Sequence, residues 1–166
     1  MGRIVTVGGV VVPGVVALAL AWLLGMRNKQ SVVVAAQRRI NRAVVNPRQL
    51  QTAGTSGADA AVVRHTGRRS GRTYETPVGA EPTEDGYVVA LVYGPRSDWL
   101  KNVLASGSAT IVHEGVTHVV DRPEVVPFDT VAHHFPDQAA IRLFGVTQAV
   151  RLHRADVGQT SGHSPV

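Results

Sequence analysis

The chain has 166 residues, is 44% hydrophobic, carries a net charge of +5 and contains no cysteine. This length suffices for one domain with its own core plus a short extension, and the missing cysteine excludes disulfides, thiolate metal sites and cysteine nucleophiles. Residues 1–80 hold 11 Lys/Arg against 2 Asp/Glu and residues 81–166 hold 6 against 10, so the first half is +9 and the second −4. That asymmetry points to an anionic partner for the first half: lipid headgroups, a phosphorylated cofactor or nucleic acid.

From Ile4 to Met26 there are 23 residues without a charge, more than the roughly 20 that cross a bilayer as a helix. Arg3 precedes this stretch, while Arg27, Lys29, Arg38, Arg39 and Arg42 follow it. The positive-inside bias therefore predicts a single-pass anchor in the cell membrane, with the N-terminus outside and the C-terminal domain cytoplasmic. Competing readings are a cleaved signal peptide, a buried helix or a mis-assigned start. Ala19-Leu20-Ala21 resembles a cleavage site, but the basic cluster behind it opposes export. Gly8, Gly9, Pro13 and Gly14 weaken the first half as a helix.

Between Ser31 and Val45, Val33, Ala36, Ile40, Ala43 and Val44 recur mostly at spacings of three and four, with the arginines on other faces. The pattern is that of an amphipathic basic helix, either lying on anionic lipid or packed on the domain. Asn46-Pro47 ends it, and Gln51–Ala58, rich in Gly, Ser and Thr, reads as a linker. The expected organisation is an anchor over 1–30, the basic helix and linker over 31–57, a cofactor-binding domain over 58–155 and a disordered tail over 156–166.

Within that domain the first strand is expected over Ala60–His65 and the second over Arg72–Ala80. Between them His65-Thr66-Gly67-Arg68-Arg69-Ser70-Gly71-Arg72 forms a tight basic turn. Its glycines permit close approach, its N–H groups can converge on an anion, and its arginines match phosphate oxygens. Solvated arginines at a hairpin tip are the plainer alternative. Glu84-Asp85-Gly86 marks a turn, and Tyr87–Tyr93 reads as a strand buried on both faces, stopped by Gly94-Pro95. Ser97 or Asp98 caps a helix through Trp99, Leu100, Val103 and Leu104, and Gly107 closes it. Strands follow at Ala109–His113 and Thr117–Val126, joined by a Glu114-Gly115 hairpin turn. The segment Pro127–Phe144 is helical or looped, with an interruption at Pro136, and Gln148–His153 is the last strand.

About six short strands and a few short helices predict a mainly β (α+β) fold, a small antiparallel split β-barrel behind the transmembrane and amphipathic helices. There is no G-x-G-x-x-G, Walker loop or nucleophile elbow, and the spacings of His113, His118, His133 and His134 match no metal-ligand pattern. Trp99 suits a core position as well as a pocket wall, and Asn102, one turn on, suits local backbone bonding.

Taken together, Gly67-Arg68-Arg69-Ser70-Gly71, Thr76-Pro77-Val78, the Asp85-Gly86 turn, Tyr93-Gly94 and Ser97-Asp98-Trp99-Leu100-Lys101-Asn102 resemble the deazaflavin-dependent nitroreductase and quinone reductase family of actinobacteria, a branch of the split β-barrel flavin/deazaflavin oxidoreductases. The resemblance covers roughly Ile40–Arg154. It implies a membrane-associated oxidoreductase that passes hydride from reduced coenzyme F420, a phosphorylated and polyglutamylated deazaflavin, to a small lipophilic acceptor such as a quinone or nitro compound, with no nucleic acid as partner. It further implies that Gly67, Arg68, Arg69, Ser70 and Gly71 hold the phosphate or acidic tail and that Thr76, Pro77 and Val78 line the ring. Val92, Tyr93 and Gly94 offer backbone contacts, and Trp99 with Asn102 closes the pocket. Tyr93, Ser97 and Tyr74 are the candidate proton donors. Barrels of this class often pair into homodimers, and related ones bind FMN or haem instead. A non-catalytic module that binds anionic lipid is the remaining alternative. Where members often carry arginine this chain has Tyr74, and where they carry a small polar residue and lysine it has Val92-Tyr93. Tyrosine occurs only at 74, 87 and 93, so the C-terminal pocket tyrosine of some members is absent.

Overall fold

The computed structural model describes residues 11–28 and 49–155. Its first element is the apolar helix α1 (Val11–Arg27), with 17 described residues. Among the described residues no helix is long and apolar enough to cross a membrane. The first part of the expected membrane segment, residues 4–10, lies outside the described residues, and the described part forms an apolar helix. Val15, Val16, Leu18, Leu20 and Leu24 are exposed on it, while Met26 is buried and Trp22 meets Phe144 edge-on at 6.0 Å. Its end rests on Gly145, where an added Cβ would come 2.5 Å from the Arg27 carbonyl oxygen. The expected amphipathic helix at 31–45 and the tail at 156–166 lie outside the described residues.

Gln51–Ala58, expected as a linker, is a run of turns fastened to a distant hairpin. Gly115 N–H donates to the Gly54 carbonyl at 2.6 Å, and the Glu114 carboxylate accepts from Ser56 Oγ at 3.1 Å and Gly57 N–H at 3.0 Å. These two donors hold the Glu114 carboxyl below its ordinary pKa.

Seven strands follow: β1 (Ala61–Thr66), β2 (Thr73–Val78), β3 (Ala80–Thr83), β4 (Gly86–Ala90), β5 (Ser108–His113), β6 (Val116–Pro127) and β7 (Gln148–Arg154). The expected six become seven because the stretch expected as one strand over Arg72–Ala80 breaks at Gly79. All pairings are antiparallel, in the order β2-β1-β5-β6-β7-β4-β3. β2 and β3 are therefore opposite edges of the sheet, yet a single residue, Gly79, joins them. A sheet whose two edges are one residue apart has to curl, and this one curls into a split barrel with its seam at Gly79.

The alternation of side chains sorts the core into two layers. Val63, Tyr87, Val89, Ile111, Val120 and Leu152 fill the barrel with Leu100 and Val103 of helix α2 (Asp98–Ser106). Val88 and Ala149 point outward under Phe128, Val131 and Phe135, from helix α3 (Phe128–Val131) and the turns after it. The apolar run beginning at Tyr87 is accounted for by β4 being covered on both faces, although the strand ends at Ala90 rather than Tyr93. Pro136 separates a 3-10 turn (Ala132–His134) from helix α4 (Gln138–Leu143), whose cap Asp137 accepts from Ala140 N–H at 3.0 Å. The expected hairpin turn has Glu114 and Gly115 at φ 51° and 76°, and Gly107 ends α2 at φ 72°.

Candidate active site

A cleft of about 840 Å³ opens at the seam, lined by the end of β2, Gly79, the end of β4 with the turn behind it, the basic turn, and the start of α2. Clefts of this size and mixed lining accommodate cofactor-sized molecules.

The basic turn is shaped by its own bonds. Gly67 N–H donates to the Arg72 carbonyl and Gly71 N–H to the Gly67 carbonyl, each at 2.8 Å. Tyr74 Oη and Ser70 Oγ are 3.0 Å apart. A Cβ on Gly67 would lie 2.5 Å from Ser70 Oγ and 2.6 Å from the Tyr74 ring and would push those side chains aside, and Gly71 sits at φ 65°, so both positions favour glycine. Arg68 N–H donates to Asn102 Oδ1 at 3.2 Å and Arg72 N–H to Ser70 Oγ at 3.4 Å. The expected nest of converging N–H groups is thus largely used up internally, leaving those of Arg69 and Ser70 without an acceptor among the described residues.

Neighbouring arginines have different fates. Arg68 Nη1 donates to Asn102 Oδ1 at 2.9 Å and Nη2 stands 3.6 Å from Asp98 Oδ1, so this guanidinium ties the turn to α2. Arg69 lines the cleft and is exposed, with no side-chain partner among the described residues. It is the better placed of the two to meet an anion from solution.

Helix α2 begins at the cleft. Ser97 has extended backbone geometry and makes no side-chain cap bond. Its Oγ is buried and has no partner among the described residues, although Ser97 lines the cleft. A buried hydroxyl without a partner is costly, and a polar group of a ligand would remove the cost. Asn102, buried on the same helix, faces β1, where its Nδ2 is 3.1 Å from His65 Nδ1. His65 Nε2 is in turn 3.1 Å from Thr76 Oγ1, and its ring stacks on Tyr74 at 5.9 Å between centroids. Burial lowers the His65 pKa below the ordinary histidine value, favouring the neutral ring.

The opposite wall is plainer. Val89, Ala90, Leu91 and Val92 give it an apolar surface, and Tyr93 is half-buried beside them. Here Leu91 N–H donates to the Gln148 carbonyl at 3.0 Å, Val92 N–H to Ala90 at 3.0 Å, and Gly94 N–H to Leu91 at 2.8 Å. The N–H groups of Val92 and Gly94 are consequently engaged within the turn.

Of the residues singled out in the sequence, Gly67, Arg68, Arg69, Ser70, Tyr74, Thr76, Pro77, Val78, Val92, Tyr93, Gly94, Ser97, Trp99 and Asn102 line this one cleft, whereas Gly71 does not. Trp99 also packs against the barrel core, combining both roles open to it. Sequence reasoning missed His65, Gly79, Asp98 and the Val89–Leu91 wall. For His65 a signal existed: it occupies the same inward-facing alternation as Ala61 and Val63, where a polar side chain needs a partner.

A curled antiparallel sheet of seven strands with a cleft at its seam, one wall apolar and the other hydrogen-bonding, is a mainly β half-barrel with room for a small molecule. The model of the F420H(2)-dependent quinone reductase family matches residues 30–152, and the chain belongs to that family. Its cofactor is accordingly coenzyme F420, and its class is that of the deazaflavin-dependent oxidoreductases. The cleft fits that cofactor: Arg69 at the rim suits an anionic tail, the apolar wall suits a planar ring, and Thr76 suits its polar edge.

Similar solved structures include the protein Atu2129 of unknown function from Agrobacterium tumefaciens str. C58, at 15% identity over 58% of this chain and 48% of that one, with a TM-score of 0.45. The chain thus spans about half the length of that protein. HutZ, the heme storage protein from Vibrio cholerae, is 10% identical over 58% of this chain and 82% of its own, with a TM-score of 0.43. The F420-H2 dependent reductase FDR-A is 13% identical over 57% and 94%, with a TM-score of 0.42. No curated protein matches the chain.

Proposed function

We propose that the chain reduces a lipophilic acceptor, a quinone or a nitro compound, with reduced F420 at a membrane surface. The observation that carries this reading is the convergence of Arg69, the unpartnered Ser97 hydroxyl and the apolar Val89–Val92 wall on one cleft in a chain of this family. When bound, the reduced deazaflavin supplies the hydride. The protein's work is to bind, orient and exclude water. Gly67, Ser70 and Gly71 shape the turn, Arg68 fixes it to α2, and Arg69 takes the anionic tail. Thr76, Pro77 and Val78 face the ring from β2, the Val92–Gly94 turn faces it from the other wall, and Trp99 with Asn102 closes the end. The acceptor also needs a proton and a donor for the charge that builds on its oxygen. Among the candidates, the Tyr74 hydroxyl is bonded to Ser70 and Tyr74 is 42% exposed, whereas the Ser97 hydroxyl is buried and unpartnered among the described residues. Ser97 is therefore the group assigned to hydrogen-bond that oxygen, with Tyr93 lining the same cleft and the proton drawn from solvent.

The membrane part of the reading rests on the uncharged run Ile4–Met26, on exposed Val15, Val16, Leu18, Leu20 and Leu24, and on the arginines at 38, 39 and 42 that follow. The test is to mix the full chain with reduced F420 and menadione and follow reappearance of the oxidised cofactor's absorbance, with phosphatidylglycerol or phosphatidylcholine vesicles. Oxidation that depends on the protein and is faster on the anionic vesicles is expected. No protein-dependent oxidation would sink the enzymatic reading, and a rate indifferent to both vesicle types would sink the membrane part.

A further inference from the structure

The bond chain running from Arg68 to Thr76 has a direction, and the direction follows from counting donors. Asn102 Oδ1 receives both Arg68 N–H and Arg68 Nη1, two groups that can only donate. Reversing the Asn102 amide would set its NH₂ against both, so the oxygen has to face Arg68 and the NH₂ has to face His65. His65 Nδ1, 3.1 Å from that NH₂, must then accept. A neutral imidazole that accepts at Nδ1 carries its proton on Nε2, and Nε2 is 3.1 Å from Thr76 Oγ1. Thr76 is thus the acceptor in that bond. Its own hydroxyl proton is left over, with no acceptor among the described residues, on a half-buried side chain that lines the cleft.

We propose that His65 is a positioning residue which, held as the Nε2–H tautomer by Asn102, occupies one acceptor site of the Thr76 hydroxyl and leaves its proton to be donated into the cleft, to a carbonyl or other acceptor atom on the edge of the bound heteroaromatic ring. The relay commits the His65 side of Thr76 to accepting, so the hydroxyl proton is turned away from His65. The stacked Tyr74 ring keeps the imidazole plane in place, and the Arg68–Asp98 pair steadies the far end of the chain. Burial favours the neutral ring that the relay needs.

The donor half of this inference rests on the cofactor reading above, whereas the tautomer half does not. Long-range ¹H–¹⁵N correlation spectra of the full chain without cofactor, at neutral pH, are expected to show His65 protonated at Nε2 and bare at Nδ1. A bare Nε2 or a doubly protonated ring would overturn the relay. Binding of oxidised F420, followed by its fluorescence, tests the donor: Thr76→Val is expected to weaken it about tenfold and Thr76→Ser by less than about threefold, since one removes and the other keeps the hydroxyl. His65→Phe keeps a ring beside Tyr74 but frees Thr76 to donate elsewhere, and is expected to weaken binding severalfold. Equal affinity for Thr76→Val and the parent chain would overturn the donor. Binding by neither would overturn the cofactor reading, with the tautomer still decided by the spectra.

Discussion

On one side of the seam cleft, side chains hold other side chains in place: Arg68 on Asn102, Asn102 on His65, His65 on Thr76, Ser70 on Tyr74. On the other side, Leu91, Val92 and Gly94 are fastened by backbone bonds, while the Leu91 side chain packs into the core and that of Val92 lines the cleft. The first wall is specified by residue identity and is brittle, because removing one partner strands the next. The second is specified by the path of the chain and tolerates substitution as long as shape is kept.

That contrast is most easily broken at Asn102. Asn102→Ala would leave His65 Nδ1, Arg68 N–H and Arg68 Nη1 without their shared partner in a buried site. An expected loss of about 2 kcal/mol lowers the thermal midpoint by about 4–8 °C. A midpoint unchanged within a degree in scanning fluorimetry would show that the network contributes little.

The arginine pair sharpens the comparison. Arg69→Ala should weaken F420 binding about tenfold, roughly one charge-assisted hydrogen bond, and leave the thermal midpoint in place. Arg68→Ala should lower the midpoint as well, because it strips the Nη1 donor from Asn102 while keeping the backbone one. Its contact with Asp98 at 3.6 Å is half-exposed and contributes little by itself. If the two variants behaved alike in both assays, the distinct fates of the two arginines would be wrong.

The smallest effect is expected on the apolar wall. Val92→Ala removes part of a half-buried surface, costs about 1 kcal/mol or less in stability, and raises the KM for menadione by a few-fold at most. A collapse of stability in that variant, comparable with Asn102→Ala, would erase the contrast between the walls.

The same contrast explains what could be read from sequence. Features that depend on neighbours along the chain were legible: the Glu114-Gly115 turn, the Gly107 stop, the basic turn, and β4 as an apolar run covered on both faces. Features that depend on closure were not. Gly79 joins the two edges of the sheet, and nothing local in Arg72–Ala80 marks the point where one strand leaves its partner and another begins. His65 and Asn102 are 37 residues apart and meet only because α2 folds over β1. The anchor expected over Ile4–Met26 was read from hydropathy, and its first residues, 4–10, lie outside the described residues.

The most direct test of the central claim, that this cleft holds F420 by its ring and its anionic tail, is titration of the full chain with F420, FMN and haem under identical conditions. Saturable binding of F420, weakened by Arg69→Ala and stronger than binding of the other two, is the predicted result. Saturable binding of FMN or haem with none of F420 would contradict it.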